Sequence, residues 1–375
     1  MKLPVYDVLI IGAGIVGAAC ATACAAEGLS VGVVEAEIIG GGATAAGMGH
    51  LVVMDDSEAQ FALTRYSQTL WQRLSAELPP DVEYEGCGTI WVAADAEEMR
   101  AVTEKRYFYE SRGVPAEILD ARALHEAEPN LRAGLPGGLL VPQDAVIYAP
   151  CAARFFIEQA QSRGAQLHHP RVVTEIAPDG VRLDDGTSIV AQSIVVAAGT
   201  WSAKLLPGIE VRKREGHLVI TDRYPGFVRH QLVELGYLRS AHSLTSESVA
   251  FNIQPRKTGQ MLLGSSRQFD KDSTAVDHAI LGRMIARAEE FIPDLGCLSA
   301  IRTWTGFRAA TPDKLPLIGP MPGYENLFLA TGHEGLGITT SLGTARLLVD
   351  QLLQRTSEIP TAPYLPGRVY ENVHA

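Results

Sequence analysis

A glycine-rich turn near the start of the chain constrains the fold more than any other feature. Three glycines form a G-x-G-x-x-G pattern: Gly12, Gly14 and Gly17. The pattern follows the apolar run 5–10 and precedes the helix-prone stretch 18–27, and a second apolar run, 31–35, ends in Glu35. A strand, turn, helix and strand within about 30 residues have the size of a βαβ unit. The chain is therefore predicted to contain a Rossmann-like parallel sheet.

The same residues predict a dinucleotide site. Gly12 permits the tight turn, Gly14 lets a pyrophosphate approach the backbone, and Gly17 lets the helix pack closely on the strand. The first helical residues, Ile15 and Val16, present N–H groups and the positive end of the helix dipole to the phosphates. A glycine-rich turn used only for packing is the alternative.

The acid at the end of the second strand indicates which dinucleotide fits. Glu35, followed by Ala36, can accept hydrogen bonds from two ribose hydroxyls and disfavours a 2′-phosphate, so NADP is not expected. Farther along, the stretch 40–49 is predicted to be a loop whose amides and Thr44 hydroxyl face a second phosphate or a ring edge. A surface loop without such a role is the alternative.

Composition excludes several classes of protein. The net charge of −11, from 43 acidic and 32 basic residues, disfavours a nucleic-acid binder and a polybasic membrane patch. The apolar run 8–26 has the length of a membrane span or signal peptide, but Asp7 and the glycine spacing argue against both. No transmembrane segment is therefore expected.

The cysteines bear on metal sites and on compartment. Five are present, without a C-x-x-C pair: Cys20, Cys24, Cys87, Cys151 and Cys297. No metal site or iron–sulfur cluster is predicted within this chain, and no disulfide framework is apparent. A reducing, cytoplasmic location is expected.

Four motifs in a fixed order identify a family resemblance. They are the N-terminal glycine motif, the loop 40–49, the strand end VVAAGTWS at 195–202, and the block 306–341 containing GFRAATPDKLPLIGP and ATGHEGLGITTS. In this order they resemble the FAD-dependent D-amino acid oxidase superfamily, which includes glycine oxidase and the sarcosine oxidase β-type subunits. The stretches GATAAGMGHL and GHEGLGITTS most resemble the β subunits of bacterial D-hydroxyproline dehydrogenases.

This resemblance implies roles for individual residues. Arg308 matches the arginine that binds the substrate α-carboxylate, a task suited to a guanidinium because two parallel N–H bonds fix orientation. The loop from Gly332 to Thr339 matches the segment that meets the isoalloxazine, and Val173 matches a position whose backbone meets the adenine. The complete cofactor-binding set is Gly12, Gly14, Ile15, Val16, Gly17, Glu35, Ala36, Thr44, Ala45, Ala46, Gly47, Met48, Val173, Ala198, Gly199, Trp201, Gly332, Gly335, Leu336, Gly337, Ile338 and Thr339.

Two departures from the family pattern affect the expected site. Many relatives carry a substrate-contacting tyrosine where this chain has the strand 251–256, and Asn252 is a candidate replacement. Some relatives bind the flavin through a cysteine at the position of Gly306, so FAD is expected to be non-covalent. His50 and His217 are candidate bases, and His50 is also a candidate substrate contact, although hydride transfer to flavin N5 needs no side-chain base.

Together these observations predict an α/β flavoprotein in which two domains interleave. The FAD-binding domain would comprise 1–56, 142–207 and 306–375, and a mixed-sheet α+β substrate domain would comprise 57–141 and 208–305. The stretch 136–147 is expected to form a pair of strands.

The expected reaction is oxidation of a small D- or cyclic secondary amino acid, with D-hydroxyproline, giving a pyrroline carboxylate, as the favoured substrate. Glycine, sarcosine, proline, an opine, a hydrogen cyanide synthase activity and a non-catalytic flavin relay are the alternatives. The resemblance also implies Fe–S or flavin partner subunits in a hetero-oligomer, which would place the cytoplasmic enzyme at the periphery of the inner membrane. The electron acceptor stays open.

Overall fold

Two large β-sheets form the framework of the molecule. The structure is a computed structural model that describes residues 5–236, 247–269 and 273–370. Within these residues each large sheet has eight strands, and a third, two-stranded sheet pairs β3 with β7. The strands, in chain order, are β1 Val5–Ile11, β2 Val31–Val34, β3 His50–Leu51, β4 Thr89–Ala93, β5 Glu117–Asp120, β6 Gly137–Val141, β7 Ala145–Val146, β8 Gln166–His168, β9 Val173–Ala177, β10 Gly180–Leu183, β11 Ser188–Val196, β12 Arg212–Thr221, β13 Gln231–Glu234, β14 Glu247–Pro255, β15 Met261–Phe269, β16 Ala300–Ala310, β17 Leu317–Pro320 and β18 Leu327–Thr331.

The structure also contains α-helices and short 3₁₀ helices. The α-helices are α1 Ile15–Ala26, α2 Gly42–Ala46, α3 Glu58–Leu74, α4 Ala96–Glu110, α5 Ala121–Ala127, α6 Ala149–Ser162, α7 Ser202–Leu205, α8 His278–Glu289, α9 Gly337–Leu352 and α10 Gly367–Tyr370. Short 3₁₀ helices cover Ser75–Glu77, Pro80–Val82, Gly199–Trp201, Pro293–Cys297 and Ala362–Tyr364.

The first sheet contains the predicted βαβ unit. Its strand order is β17–β18–β11–β1–β2–β8, with β9 and β10 attached through β11. Strand β1 pairs in parallel with both β2 and β11, so it is central and buried on both faces. On one face α1 packs against α6 and α9, and its alanines Ala18, Ala21 and Ala25 let these helices approach closely. The predicted α/β class is confirmed.

The second sheet is mixed and lies beside the first. Its order is β16–β12–β15–β14–β13–β4–β6–β5, and β13 pairs in parallel with β4 while the other pairs are antiparallel. Helix α8 packs on β14 and β15, where Phe251 stacks on Phe291 with ring centroids 4.6 Å apart. Helix α4 packs against β4 and β6.

Two predicted local structures were wrong. The stretch 136–147 is not a strand pair, because β6 belongs to the second sheet whereas β7 pairs with β3. The stretch 40–49 is not wholly a loop, since it contains α2.

The predicted domain boundaries can be compared with the positions of the strands in the two large sheets. Every strand of the first sheet lies in the three predicted FAD-binding segments, although the boundary drawn at 306 falls inside β16. The domain division itself stays a prediction. Among the described residues no helix has the length and apolarity that crossing a membrane requires.

Candidate active site

A cavity of about 690 Å³ opens where the two large sheets meet. Its wall includes the turn after β1, the ends of β2 and β11, α2, and the start of α9 from the side of the first sheet. Strands β12, β14, β15 and β16 contribute from the second sheet. A cavity of this size, formed between two structural units, is a typical cofactor and substrate site.

The glycine turn forms one end of this cavity and is closely packed. Gly12 has φ +107, and a Cβ at this position would lie 2.7 Å from Ala197 O. A Cβ on Gly17 would lie 2.0 Å from Gly12 O, so helix α1 rests directly on the turn. These contacts explain why both positions require glycine.

Helix α1 begins at the cavity with no acidic side chain that would repel a phosphate. Its N-cap is Gly14, which has no side chain, and its first turn contains no acid. The Ile15 N–H donates to Thr44 Oγ1 at 3.0 Å, which ties α2 to the start of α1. Glu35 lies at the edge of the cavity, where its carboxylate accepts hydrogen bonds from the N–H groups of Ala13 and Glu37.

Arg308 lies on the cavity wall at the other end. Its Nη1 donates to Ser266 O at 3.0 Å and to Glu215 O at 3.4 Å. Gly216 on the neighbouring strand provides the space for this guanidinium, because a Cβ there would lie 2.4 Å from Nη1. The arginine is thus held by backbone oxygens on a rigid strand, which is the geometry that binds a carboxylate in a defined orientation.

Glu334 is the acidic member of an arginine cluster beside Arg308. Its Oε1 accepts a hydrogen bond from Arg214 Nη1 at 3.1 Å, and its Oε2 accepts one from the Gly335 N–H at 2.6 Å. Burial alone would raise the pKa of Glu334, but the charges of Arg267, Arg308 and Arg214 hold it below its ordinary value. Glu334 is therefore a carboxylate at neutral pH.

Two histidines near the cavity, His50 and His333, are neutral. Burial lowers the pKa of His50 to about 4, and the charge of Arg308 also lowers it. Burial also lowers the pKa of His333 to about 3, and its Nε2 lies 3.0 Å from Thr344 Oγ1. His217 is buried off the cavity wall, where its Nε2 accepts a hydrogen bond from the Asp277 N–H.

The predicted site residues mostly converge on this cavity. Arg308, Asn252 and His50 line it together with all the predicted cofactor-binding residues except four, namely Gly17, Ala45, Leu336 and Thr339. Two of these four have clear supporting contacts. Gly17 packs under the turn, and Thr339 Oγ1 donates to His50 O at 2.8 Å.

Several residues in or beside the cavity escaped the sequence analysis. Ser265 on β15 lines it beside Asn252, and neither Ser265 Oγ nor Asn252 Oδ1 has a hydrogen-bond partner among the described residues. Arg214 and Arg267 join Glu334 from two different strands. No motif contains these residues, since only sheet pairing brings them together.

These observations fit FAD, the cofactor implied by the family resemblance. A helix start with a glycine N-cap and no acid suits the pyrophosphate, Glu35 suits the ribose, and Val173 lines the same continuous cavity as Arg308. Helix α9 also begins at the cavity with no acid in its first turn and no side-chain cap. An added Cβ on Gly306 would lie 2.2 Å from the Ala46 Cβ, so β16 and α2 touch at the position where some relatives carry a cysteine.

Known proteins resemble this chain along nearly its whole length. Glycine oxidase from Pseudomonas aeruginosa is 29% identical over 377 residues, covering 96% of this chain and 98% of that protein. The crystal structure of glycine oxidase from Geobacillus kaustophilus superimposes with a TM-score of 0.86 at 26% identity, covering 96% of this chain and 98% of the other. The structure of L-proline dehydrogenase from P. horikoshii, at 21% identity, has a TM-score of 0.88 and covers 100% and 99% of the two chains, which shows a shared fold.

The model of the DAO family, described as FAD dependent oxidoreductase, matches residues 7–351. The superfamily, the enzyme class and the FAD cofactor expected from the sequence are thereby confirmed. The chain belongs to the DAO family of FAD dependent oxidoreductases.

Proposed function

We propose that this enzyme oxidises a small amino acid or cyclic imino acid that Arg308 binds by its α-carboxylate. The observation that carries the proposal is the Arg308 guanidinium, held on the cavity wall by Ser266 O and Glu215 O. A guanidinium fixed in this way retains its charge at all relevant pH values and orients a carboxylate by paired N–H bonds.

The other residues of the cavity would complete the substrate site. The Asn252 amide oxygen and the Ser265 hydroxyl have no hydrogen-bond partner among the described residues, and they suit the amine or a substrate hydroxyl. When bound, FAD supplies the acceptor for the two electrons and the hydrogen that leave the α-carbon. The chain's own contribution is to bind the carboxylate, to orient the α-carbon, and to keep the helix start of α9 facing the cofactor.

D-hydroxyproline is the favoured substrate, as the two stretches similar to D-hydroxyproline dehydrogenase β subunits suggest. Glycine, sarcosine, proline, an opine and a hydrogen cyanide synthase reaction are alternatives on the same scaffold, and a non-catalytic flavin relay is a further one. In the favoured case the acceptor is a partner subunit carrying an Fe–S centre, as the resemblance to D-hydroxyproline dehydrogenase β subunits implies.

The test is anaerobic reduction of the FAD-loaded enzyme by a panel of D-hydroxyproline, D-proline, glycine, sarcosine and L-proline, followed by flavin absorbance. We expect at least one of them to bleach the flavin fully. In Arg308→Ala the substrate concentration for half-maximal bleaching should rise about 100-fold, as expected when a charged hydrogen-bond partner is lost, while the oxidised flavin spectrum is unchanged. Arg308→Lys should recover part of this loss.

The outcomes separate the parts of the proposal. If no compound reduces the flavin, the amino-acid activity is wrong and the relay alternative gains support. If Arg308→Ala binds substrate as tightly as wild type, the carboxylate role of Arg308 is wrong. Hydrogen peroxide production in air, compared with dye reduction, then distinguishes an oxidase from a dehydrogenase.

A further inference from the structure

We propose that Glu334 makes the enzyme selective for substrates with a single carboxylate by excluding a second one from the cavity. The inference rests on the proposed function, because it assumes that Arg308 binds the substrate α-carboxylate. It assigns to the loop after β18 a role in choosing substrates, in addition to its place beside the cofactor.

The backbone holds Glu334 in one position. Its φ of +51 is in the left-handed region, and its N–H donates to Ala309 O at 2.8 Å, bridging the loop to β16. Its carboxylate is fixed at both oxygens, by Arg214 and by the Gly335 N–H. A non-glycine residue with this conformation persists only where its surroundings enforce it, and such positions cluster at functional sites.

The Glu334 carboxylate balances part of the positive charge of three nearby arginines. Arg214 and Arg267 are each only 6% exposed, and their charges, together with that of Arg308, act on the Glu334 carboxylate. Arg308 lines the cavity and Arg214 and Arg267 lie off its wall, so without Glu334 this end of the cavity would be more positive and would attract a substrate with two carboxylates more strongly. With Glu334 in place, Arg214 already has its carboxylate partner within the protein.

A second carboxylate on the substrate would therefore be repelled by Glu334, which lies near the Arg308 guanidinium that binds the first carboxylate. Charge repulsion acts strongly in a cavity that excludes water, since the local dielectric constant is low. Neutral and hydroxylated side chains do not meet this penalty. The arrangement uses repulsion, rather than tighter contacts to the preferred substrate, as the source of selectivity.

The experiment compares matched ligands on the FAD-loaded enzyme. Acetate and malonate differ by one carboxylate and cannot be oxidised as amines, so their dissociation constants, from flavin spectral changes or calorimetry, report binding alone. Wild type should bind acetate at least tenfold more tightly than malonate. In Glu334→Gln the ratio should shift at least tenfold towards malonate, and the ratio of kcat/KM for iminodiacetate over sarcosine should rise in parallel.

Two variants serve as controls. Glu325→Gln makes the same chemical change at an exposed position outside the cavity and should leave the ratio at the wild-type value. Glu334→Asp keeps the charge and should retain preference for acetate. If Glu334→Gln fails to fold or to bind FAD, the wild-type ratio still decides, because wild type that prefers malonate contradicts the inference.

Failure of this inference can be told from failure of the proposed function. If amino acids reduce the flavin in an Arg308-dependent manner but Glu334→Gln leaves the acetate-to-malonate ratio within twofold of wild type, only the selectivity role is wrong. If no amino acid reduces the flavin and neither carboxylate binds, the proposed function is wrong.

Discussion

At the scale of single residues, the cavity contains fixed charges but few groups that titrate near neutral pH. Arg308 stays cationic, Glu334 stays anionic because the pKa-lowering charges of three arginines outweigh burial, and His50 stays neutral because burial lowers its pKa to about 4. None of these side chains is suited to accept a proton from an ammonium group at pH 7.

This electrostatic state predicts the pH dependence of the reaction. The reactive substrate form has a neutral amine, so kcat/KM should rise about tenfold per pH unit from roughly pH 6 to 8, below the pKa of the substrate ammonium. Because His50 is already neutral in that range, His50→Gln should lower or keep the rate without moving the profile. Measuring kcat/KM against pH for both proteins checks this, and a bend near pH 6–7 present only in wild type would assign a proton-transfer role to His50.

Some residues of the site could be predicted from the sequence and others could not. Arg308 and the glycines of the first turn stand in local motifs whose spacing reflects a short-range geometry. Glu334 lies inside the block 306–341, but its partners Arg214 and Arg267 come from β12 and β15. Their proximity depends on the pairing of distant strands, and a single sequence carries no direct signal for that pairing.

At the scale of elements, the turn between β1 and α1 determines how a cofactor can approach. Gly17 lets α1 lie directly on the Gly12 carbonyl. This contact directs the N-terminal end of the helix into the cavity. The geometry at this contact leaves no space for even one methyl group.

Gly17→Ala should therefore push α1 away from the turn. We expect a loss of stability of about 1–3 kcal/mol, as for other overpacked sites, and at least a tenfold weaker affinity for FAD. Denaturant unfolding and FAD titration of the apoprotein measure the two effects. Gly282→Ala is a matched control, because Gly282 lies on α8 with nothing near its added Cβ, and it should stabilise the protein by about 0.5–1 kcal/mol. Equal behaviour of the two variants would contradict the role of Gly17.

Most elements were predictable because their periodicity is local. Strands β1 and β2 coincide with the apolar runs 5–10 and 31–35, and helix α1 overlaps the helix-prone stretch 18–27. The prediction for 136–147 was wrong because two short strands near each other in sequence resemble a hairpin. The structure assigns them to different sheets because β6 has β4 and β5 as neighbours, and that choice depends on residues far away.

At the scale of the whole molecule, the cavity joins the two sheets. Gly14 on one side and Arg308 on the other line the same space, so a ligand that filled it would contact residues from both halves of the framework. The sequence predicts that segments 57–141 and 208–305 form the substrate domain. This division stays a prediction.

Removing FAD should therefore destabilise both sheets at once. A ligand that binds only the native state stabilises it by about 4 kcal/mol at a thousandfold excess over its dissociation constant. The Tm should accordingly rise with FAD concentration, and in apoprotein the amides of β1 and of β14 should both exchange hydrogen faster. Calorimetry and hydrogen exchange measure these effects. A Tm that is independent of FAD, or protection confined to the first sheet, would contradict a cofactor site shared by both sheets.

The parallel pairing of β1 has a consequence for synthesis on the ribosome. Strand β1 emerges first, but its neighbour β11 ends only at Val196, and β18, on the far side of β11, ends at Thr331. The first sheet cannot be completed around β1 until most of the chain has been synthesised. Such contacts between distant parts of the sequence slow folding, and they leave the nascent strands exposed to aggregation. Chains that terminate early, even after the whole second sheet has been made, would lack an edge of the first sheet and would be substrates for chaperones or proteases.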